Sequence, residues 1–309
     1  MKPTAPLRFG GKVALVSTSL KGSPTEYPKA ILRLERKGID LIPVDPEGQS
    51  IGPFSASDQA RARAFSEAIG NPGFDAVLSI RGGYGAIRLM EFLEHLQWPQ
   101  QHFPIWSGFS DATNIHAFLW KRLNAVTFHG PHLRGLGESE ESFEDFWEVL
   151  SGKRGAGSPL SLWDTEVIQP GLATGLLLGG NLETLAHLAG TPWFPCFEGA
   201  ILMIEDVDEP MYAIDRAIWQ LHHAGAFRKI SGVILGPFSS RPVRNDDPSD
   251  TVEKLVQAVL PSRVPMLKTT APGHDLPMST WPLNVNVRLD IPRFGSPSLT
   301  LKEDLFQPS

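Results

Sequence analysis

Three short segments carry residue types that together could perform one acyl-transfer chemistry: GFSDAT at 108–113, IEDVDEP at 204–210 and APGHDLP at 271–277. The first holds Ser110, after an apolar run from Phe103 to Phe109 and before a helical pattern from Asp111 to Leu123. A serine on such a strand-to-helix turn points its hydroxyl away from the sheet, and the amide of Asp111 is left free at the helix start. The second segment offers Glu205 at the end of the apolar run Ala200 to Ile204, and the third offers His274 directly after a glycine. Nucleophile, acid and base follow in the order Ser, Glu, His, so a serine hydrolase is the leading expectation.

Each residue also has an ordinary role. Serine is a favoured N-cap, and on this residue alone capping is the commoner use. GFSDA nevertheless resembles the nucleophile-elbow pattern with alanine for the second glycine, and a mere cap does not require Gly108. RGGYG at 81–85 closes one strand and opens a helix, with a spacing that matches neither the dinucleotide fingerprint nor the P-loop. Glycines there let a backbone amide approach a reacting carbonyl, and neighbouring parallel strands would set Gly83 beside the Ser110 turn. Asp206, Asp208 and Glu209 crowd Glu205, and local charge alone does not choose among them. A lone histidine in a Pro/Gly loop, as His274 is, more often serves structure. His129 with His132, and the adjacent His222 and His223, raise a metal alternative. None shows the i, i+4 helical pairing with a glutamate that a zinc hydrolase uses, so no metal and no cofactor is expected.

These residues need a scaffold, and the first half supplies a regular one. Apolar runs at KVALVS (12–17), IDLIPV (39–44), FDAVLSI (74–80), FPIWSGF (103–109) and NAVTFHGP (124–131) alternate with helical patterns. One helix is announced by the capping-box spacing Ser23-Pro24-Thr25-Glu26, and another lies at 57–70. Alternation of this kind predicts a parallel sheet covered on both faces. Residues 153–171, rich in Gly, Ser and Pro, read as a linker. Beyond it come strands at 175–180, 200–205 and 231–238, a helix after Glu209 with Tyr212, Ile218 and Leu221 on one face, and period-two strands at NVNVRLDI and SLTLKED.

Composition narrows the function classes. A chain of 309 residues predicts two domains. A net charge of -6 without any basic run argues against a nucleic-acid partner. The single cysteine, Cys196, excludes an intramolecular disulfide and suits a small buried apolar role. The opening MKPTAPLRFGGK lacks a signal-peptide core and no apolar run is long enough to cross a membrane, which points to a cytoplasmic protein without a membrane partner.

Taken together, FDAVLSIRGGYGAIRLM, SGFSDATNIHAF, TFHGP, LLLGGNLETLAHLAGTPWFP, ILMIEDVDEPMYAIDRAIWQLHHAGAF, SGVILGPF and PGHDLPMSTWPLN resemble, in order, the LD-carboxypeptidase family of serine peptidases, which also includes the microcin C immunity peptidases. The resemblance implies an α/β fold. A flavodoxin-like parallel-sheet N-terminal domain (1–155) would carry the nucleophile, and a smaller α/β, partly barrel-like C-terminal domain (170–309) the acid and base. It implies Ser110, Glu205 and His274 as the triad, the amides of Gly83 and Asp111 as the oxyanion hole, no metal, and a homodimer. The implied substrate is a small muropeptide-like peptide, cut between an L-centre and a C-terminal D-amino acid, as in peptidoglycan recycling. The alternatives are an aminoacyl-nucleotide conjugate, as in microcin immunity, or an ester in an α/β-hydrolase-type esterase. Arg81 and Arg134 could meet a terminal carboxylate, although surface roles suit both. The chain departs from the family pattern at VSTS after the first strand, at Trp106-Ser107, and at Asn284 where glycine is usual.

Overall fold

Val13 to Val16 have no exposed surface, and Ala76 to Ser79 are almost as deeply buried, because parallel strands flanked by helices are covered on both faces. They belong to a computed structural model that describes residues 1–46, 50–99, 101–239 and 251–308. The chain divides into two compact units. One comprises Met1–Arg154, Leu276–Pro282 and the residues from Asp304 onward; the other comprises Gly155–Asp275 and Leu283–Glu303.

In the first unit, β1 (Lys12–Val16), β2 (Asp40–Pro43), β3 (Ala76–Ser79), β4 (Ile105–Gly108) and β5 (Thr127–His129) lie in the order β5-β4-β3-β1-β2, with every pair parallel. That is the flavodoxin order, in which ligands bind beyond the carboxyl ends of the strands. The succession also departs from what an α/β-hydrolase-type esterase would need. The connections carry α1 (Pro28–Arg36), α2 (Asp58–Gly70), α3 (Met90–Glu94) and α4 (Thr113–Leu123), and α5 (Leu133–Glu138) and α6 (Glu140–Leu150) follow β5. The capping box at Ser23 is present, but it opens a short 3-10 turn at Pro24–Glu26; the α-helix restarts at Pro28, whose ring is tolerated at a first helical position. Helix α2 begins at Ser57, whose hydroxyl accepts from the Ala60 amide at 3.2 Å, and it buries Arg61, Phe65, Ala68 and Ile69 on one face. Phe65 meets Trp106 of β4 edge-on at 4.9 Å.

The second unit holds β6 (Pro159–Leu160), β7 (Glu166–Gln169), β8 (Gly171–Asn181), β9 (Ile201–Asp206), β10 (Gly232–Phe238) and β11 (Met266–Lys268). After β12 (Trp281–Leu283), an edge strand of the first sheet, come β13 (Val285–Ile291) and β14 (Ser298–Leu301). Among the described residues the second sheet runs β6-β14-β13-β8-β9-β10-β11-β7. A single residue, Pro170, separates β7 from β8, yet three strands lie between them in the sheet. Laid flat, four inter-strand steps would span about 19 Å. Two residues cannot place their Cα atoms more than about 7 Å apart. The sheet must therefore curl on itself, and this is the partly barrel-like domain that the family resemblance implies. Around it pack α7 (Leu182–Leu188), α8 (Met211–His223) and α9 (Val252–Val259).

Three local expectations are corrected. The Gly/Ser/Pro-rich stretch 153–171 contains β6 and β7, edge strands of two and four residues that are too short to show periodicity. Cys196 is exposed, because Pro195 and Phe197 on either side take the inward positions. Tyr212 is also outside the buried face of α8, which is Ile214, Ile218 and Leu221. It stands six residues before Ile218, about 240° round the helix, and the Arg216 guanidinium covers its ring at 4.9 Å.

Removing the Phe65 ring leaves a cavity against Trp106 of β4, the strand that leads to Ser110. Phe65→Ala should cost about 3–5 kcal/mol, read as a lower urea midpoint at unchanged slope.

Candidate active site

β4 ends at Gly108, and the chain enters a 3-10 turn, Ser110–Ala112, that leads into α4. The residue in the capping position is Phe109, extended at φ −148, with no side-chain cap bond; Ser110 is the first residue of the turn itself, at φ 60. The capping role is thereby set aside. A non-glycine residue held there carries about 1–3 kcal/mol of strain, which functional sites tolerate and caps do not need. Gly108 is required: a β-carbon on it would stand 2.9 Å from Ala112 Cβ and 3.0 Å from Ser79 Cβ.

The glycine loop lies on the serine. A β-carbon at Gly82 would stand 3.1 Å from Ser110 Cβ, 3.2 Å from its Oγ and 3.0 Å from His132 Cε1. Gly83 is exposed at φ 118, with Leu20 filling the space where a side chain would go. The Asp111 amide sits at the start of the turn, where a backbone N–H has no intrahelical acceptor.

Two supports behind this turn were not foreseen from sequence. His116, on α4, places Nε2 2.8 Å from the Gly108 carbonyl oxygen and Nδ1 2.8 Å from Thr127 Oγ1. A carbonyl can only accept, so Nε2 carries the hydrogen and Nδ1 accepts from the threonine. Burial pushes this imidazole down to about 4 despite the Gly108 carbonyl, so it is a neutral latch between the end of β4 and β5. Arg61 has no exposed surface. It donates to the carbonyls of Thr18 (2.7 Å), Ser19 (3.2 Å) and Gly85 (3.4 Å) and pairs with Asp58 at 2.7 Å. It therefore ties the loop after β1, where VSTS lies, to the glycine loop.

In the second unit β9 ends on Glu205 and Asp206, and strand alternation sends their side chains to opposite faces. Glu205 has no exposed surface, and its Oε2 lies 2.7 Å from His274 Nδ1. Asp206 instead accepts from Asn181 Nδ2 (2.7 Å) and from the amides of Glu183 (2.9 Å) and Val207 (2.9 Å), which fastens the start of α7. Burial, then the neighbouring Glu205 charge, pushes Asp206 up to about 6. Asp208 lies beyond the strand, on a turn at φ 58. Glu205 is thus the acid that faces the histidine.

The pairing needs space that β10 provides. A β-carbon at Gly236 would stand 2.7 Å from Glu205 Cβ and 2.6 Å from the Pro272 carbonyl oxygen. Burial pulls the His274 pKa down, but the Glu205 carboxylate, by charge and by hydrogen bond, outweighs it with help from Asp206 and Asp275, and the net shift is upward. A carboxylate only accepts, so Nδ1 donates and Nε2 is left with its lone pair.

The four histidines behind the metal alternative pack against aromatic rings. His132 Nε2 accepts from the Phe109 amide at 3.3 Å, and its ring lies 4.3 Å from the Phe109 ring. His129 is buried at the end of β5, and His222 and His223 set their rings 5.3 and 5.7 Å from Trp219. Among the described residues no group of three or more His, Cys, Asp and Glu side chains is arranged to hold a metal ion. Arg134 pairs with Glu138 at 3.0 Å on the surface.

Residues 13–130 match the family model of the LD-carboxypeptidase N-terminal domain, and residues 174–289 that of the LD-carboxypeptidase C-terminal domain. A putative carboxypeptidase of Synechocystis sp. is 34% identical over 92% of this chain and 93% of its own length. This chain belongs to the LD-carboxypeptidase family. A probable murein peptide carboxypeptidase of Bacillus subtilis is 28% identical, covering 94% of this chain and 91% of its own, and the microcin C7 self-immunity protein of Escherichia coli is 26% identical, covering 97% and 95%. The muramoyltetrapeptide carboxypeptidase of Oxalobacter formigenes superposes with a TM-score of 0.76 at 25% identity, covering 96% of this chain and 100% of that one. The wild-type apo self-immunity protein gives 0.87 at 24% identity over 99% of each chain. The α/β fold and the carboxypeptidase class expected from sequence both stand. Asn284, where the family pattern has glycine, sits at φ 62, a conformation asparagine tolerates.

A base must be neutral to accept a proton. For His274 as the base proposed below, a pKa raised above the ordinary value of about 6.5 puts the acid limb of kcat/KM above that pH, and Glu205→Gln should move it down while lowering kcat. The same shift makes the His274–Glu205 pair fully stabilising below the unfolded histidine pKa, and its contribution is lost as pH rises through the folded value. Gly236→Ala should cut kcat at least about tenfold by pushing Glu205 off His274, with Tm reported alongside.

Proposed function

We propose that this family member is a serine LD-carboxypeptidase in which Ser110 is the nucleophile, His274 the general base and Glu205 the residue that orients it. The observation carrying the proposal is the buried carboxylate at 2.7 Å from His274 Nδ1, which leaves Nε2 as the basic atom. The strained Ser110 turn supports it. In this reading Nε2 takes the proton from Ser110 Oγ as the oxygen attacks the scissile carbonyl carbon. The tetrahedral oxyanion is met by the amides of Gly83 and Asp111. The imidazolium, stabilised by Glu205, then gives its proton to the departing amine, and the C–N bond breaks. Water, deprotonated by the same Nε2, hydrolyses the ester on Ser110.

The substrate we propose is a small muropeptide-like peptide cut before a C-terminal D-amino acid, processed in the cytoplasm during peptidoglycan recycling by a homodimer. The names of the murein peptide and muramoyltetrapeptide relatives support this reading. The likeness to the microcin C7 self-immunity protein favours an aminoacyl-nucleotide conjugate as the second reading. Mass spectrometry after incubation with the muropeptide tetrapeptide should show loss of terminal D-alanine. Inverting that centre should lower kcat/KM by about 10²-fold or more, since polar groups of the pocket lose their partners. Equal rates on L,L and L,D bonds would contradict the substrate, and preference for the conjugate would select the second reading. Ser110→Ala should lower kcat by about 10⁶-fold with Tm close to the parent's.

A further inference from the structure

The amides of Gly83 and Asp111 can act on one oxygen only if the two loops that carry them keep a fixed spacing. Gly83 follows β3 and Asp111 follows β4, and these strands pair as far as Leu78 and Ser107. Beyond that point the strand ladder no longer sets their separation. A side chain does. Asp111 is 7% exposed, and its Oδ2 accepts from the Ala86 amide at 2.8 Å, which joins the exit of the glycine loop directly to the serine turn. Its Oδ1 accepts from Asn114 Nδ2 at 2.9 Å, and the same nitrogen lies 3.1 Å from the Asp111 carbonyl oxygen, so the carboxylate is fixed against α4. An aspartate in a first helical turn ordinarily serves its own helix. This one reaches across to a neighbouring loop, whose Gly85 carbonyl is held from the other side by Arg61 at 3.4 Å.

We propose that the Asp111 carboxylate is a positioning residue that clamps the glycine loop onto the nucleophile turn and so sets the spacing of the two oxyanion amides. The proposal rests on the assignment of Ser110 and the two amides given above. Because the clamp acts on groups that meet the developing oxyanion, its loss falls on the charged tetrahedral state and not on substrate binding.

The test compares the parent with Asp111→Leu and Asp111→Asn on the L,D-peptide, together with inhibition by a peptidyl boronate whose boron replaces the scissile carbonyl carbon. Leucine keeps the branched four-atom outline, at a larger volume, and removes both acceptors. It should lower kcat by about 10²-fold, as loss of one oxyanion donor does, with KM unchanged and boronate affinity falling in parallel. Asparagine keeps one acceptor for the Ala86 amide and should recover most of both. Where the leucine variant does not fold, asparagine alone decides, with a parallel loss of a few-fold in kcat and boronate affinity expected. Unchanged boronate affinity in the variants, or a loss confined to KM, would overturn the clamp. Boronate binding that survives Ser110→Ala would instead remove the nucleophile assignment, and the clamp with it.

Discussion

A carboxylate without exposed surface is costly unless a donor meets it, and for Glu205 that donor is the Nδ1–H of His274. Much of the second unit can be read as the means of making this contact. The parallel core of the curled sheet ends β9 on the acid, alternation turns Asp206 away to fasten α7, and Gly236 leaves room for Pro272 and the His274 that follows. One hydrogen bond selects the tautomer, and in that tautomer Nε2 carries the lone pair.

Two histidines show how environment divides roles. His116 is buried between a carbonyl and a hydroxyl with no carboxylate beside it; desolvation wins, and the ring stays neutral as a latch. His274 is also buried, yet a carboxylate faces it and the balance reverses. The same side chain is a fixed strut in one unit and a titrating group in the other.

The parallel sheet was legible because β1 to β5 are short apolar runs flanked by helix signals, whereas the flavodoxin-like order came only with the motif blocks that mark the family. Local charge did not choose Glu205 over Asp206, since adjacent acids differ in the face they take and composition is blind to faces; the family resemblance made that choice. Ser110 as a strained turn residue, not a cap, needed its φ. His116, Arg61 and the Asp111 carboxylate escaped because their partners are backbone groups of distant segments, and a backbone carbonyl or amide leaves no mark on residue type. β6 and β7 escaped because they are edge strands of two and four residues.

In the mechanism proposed for this chain, a Glu205-oriented His274 activates Ser110. A fluorophosphonate reacts with a serine hydroxyl only when a neutral base activates it. Its rate of reaction across pH, with the adduct located by peptide mass spectrometry, tests that claim directly. One adduct is expected, on Ser110, forming at a rate that rises through a pKa above the ordinary histidine value and collapses in His274→Ala. An adduct on another serine, or a Ser110 rate indifferent to the loss of His274, would contradict it.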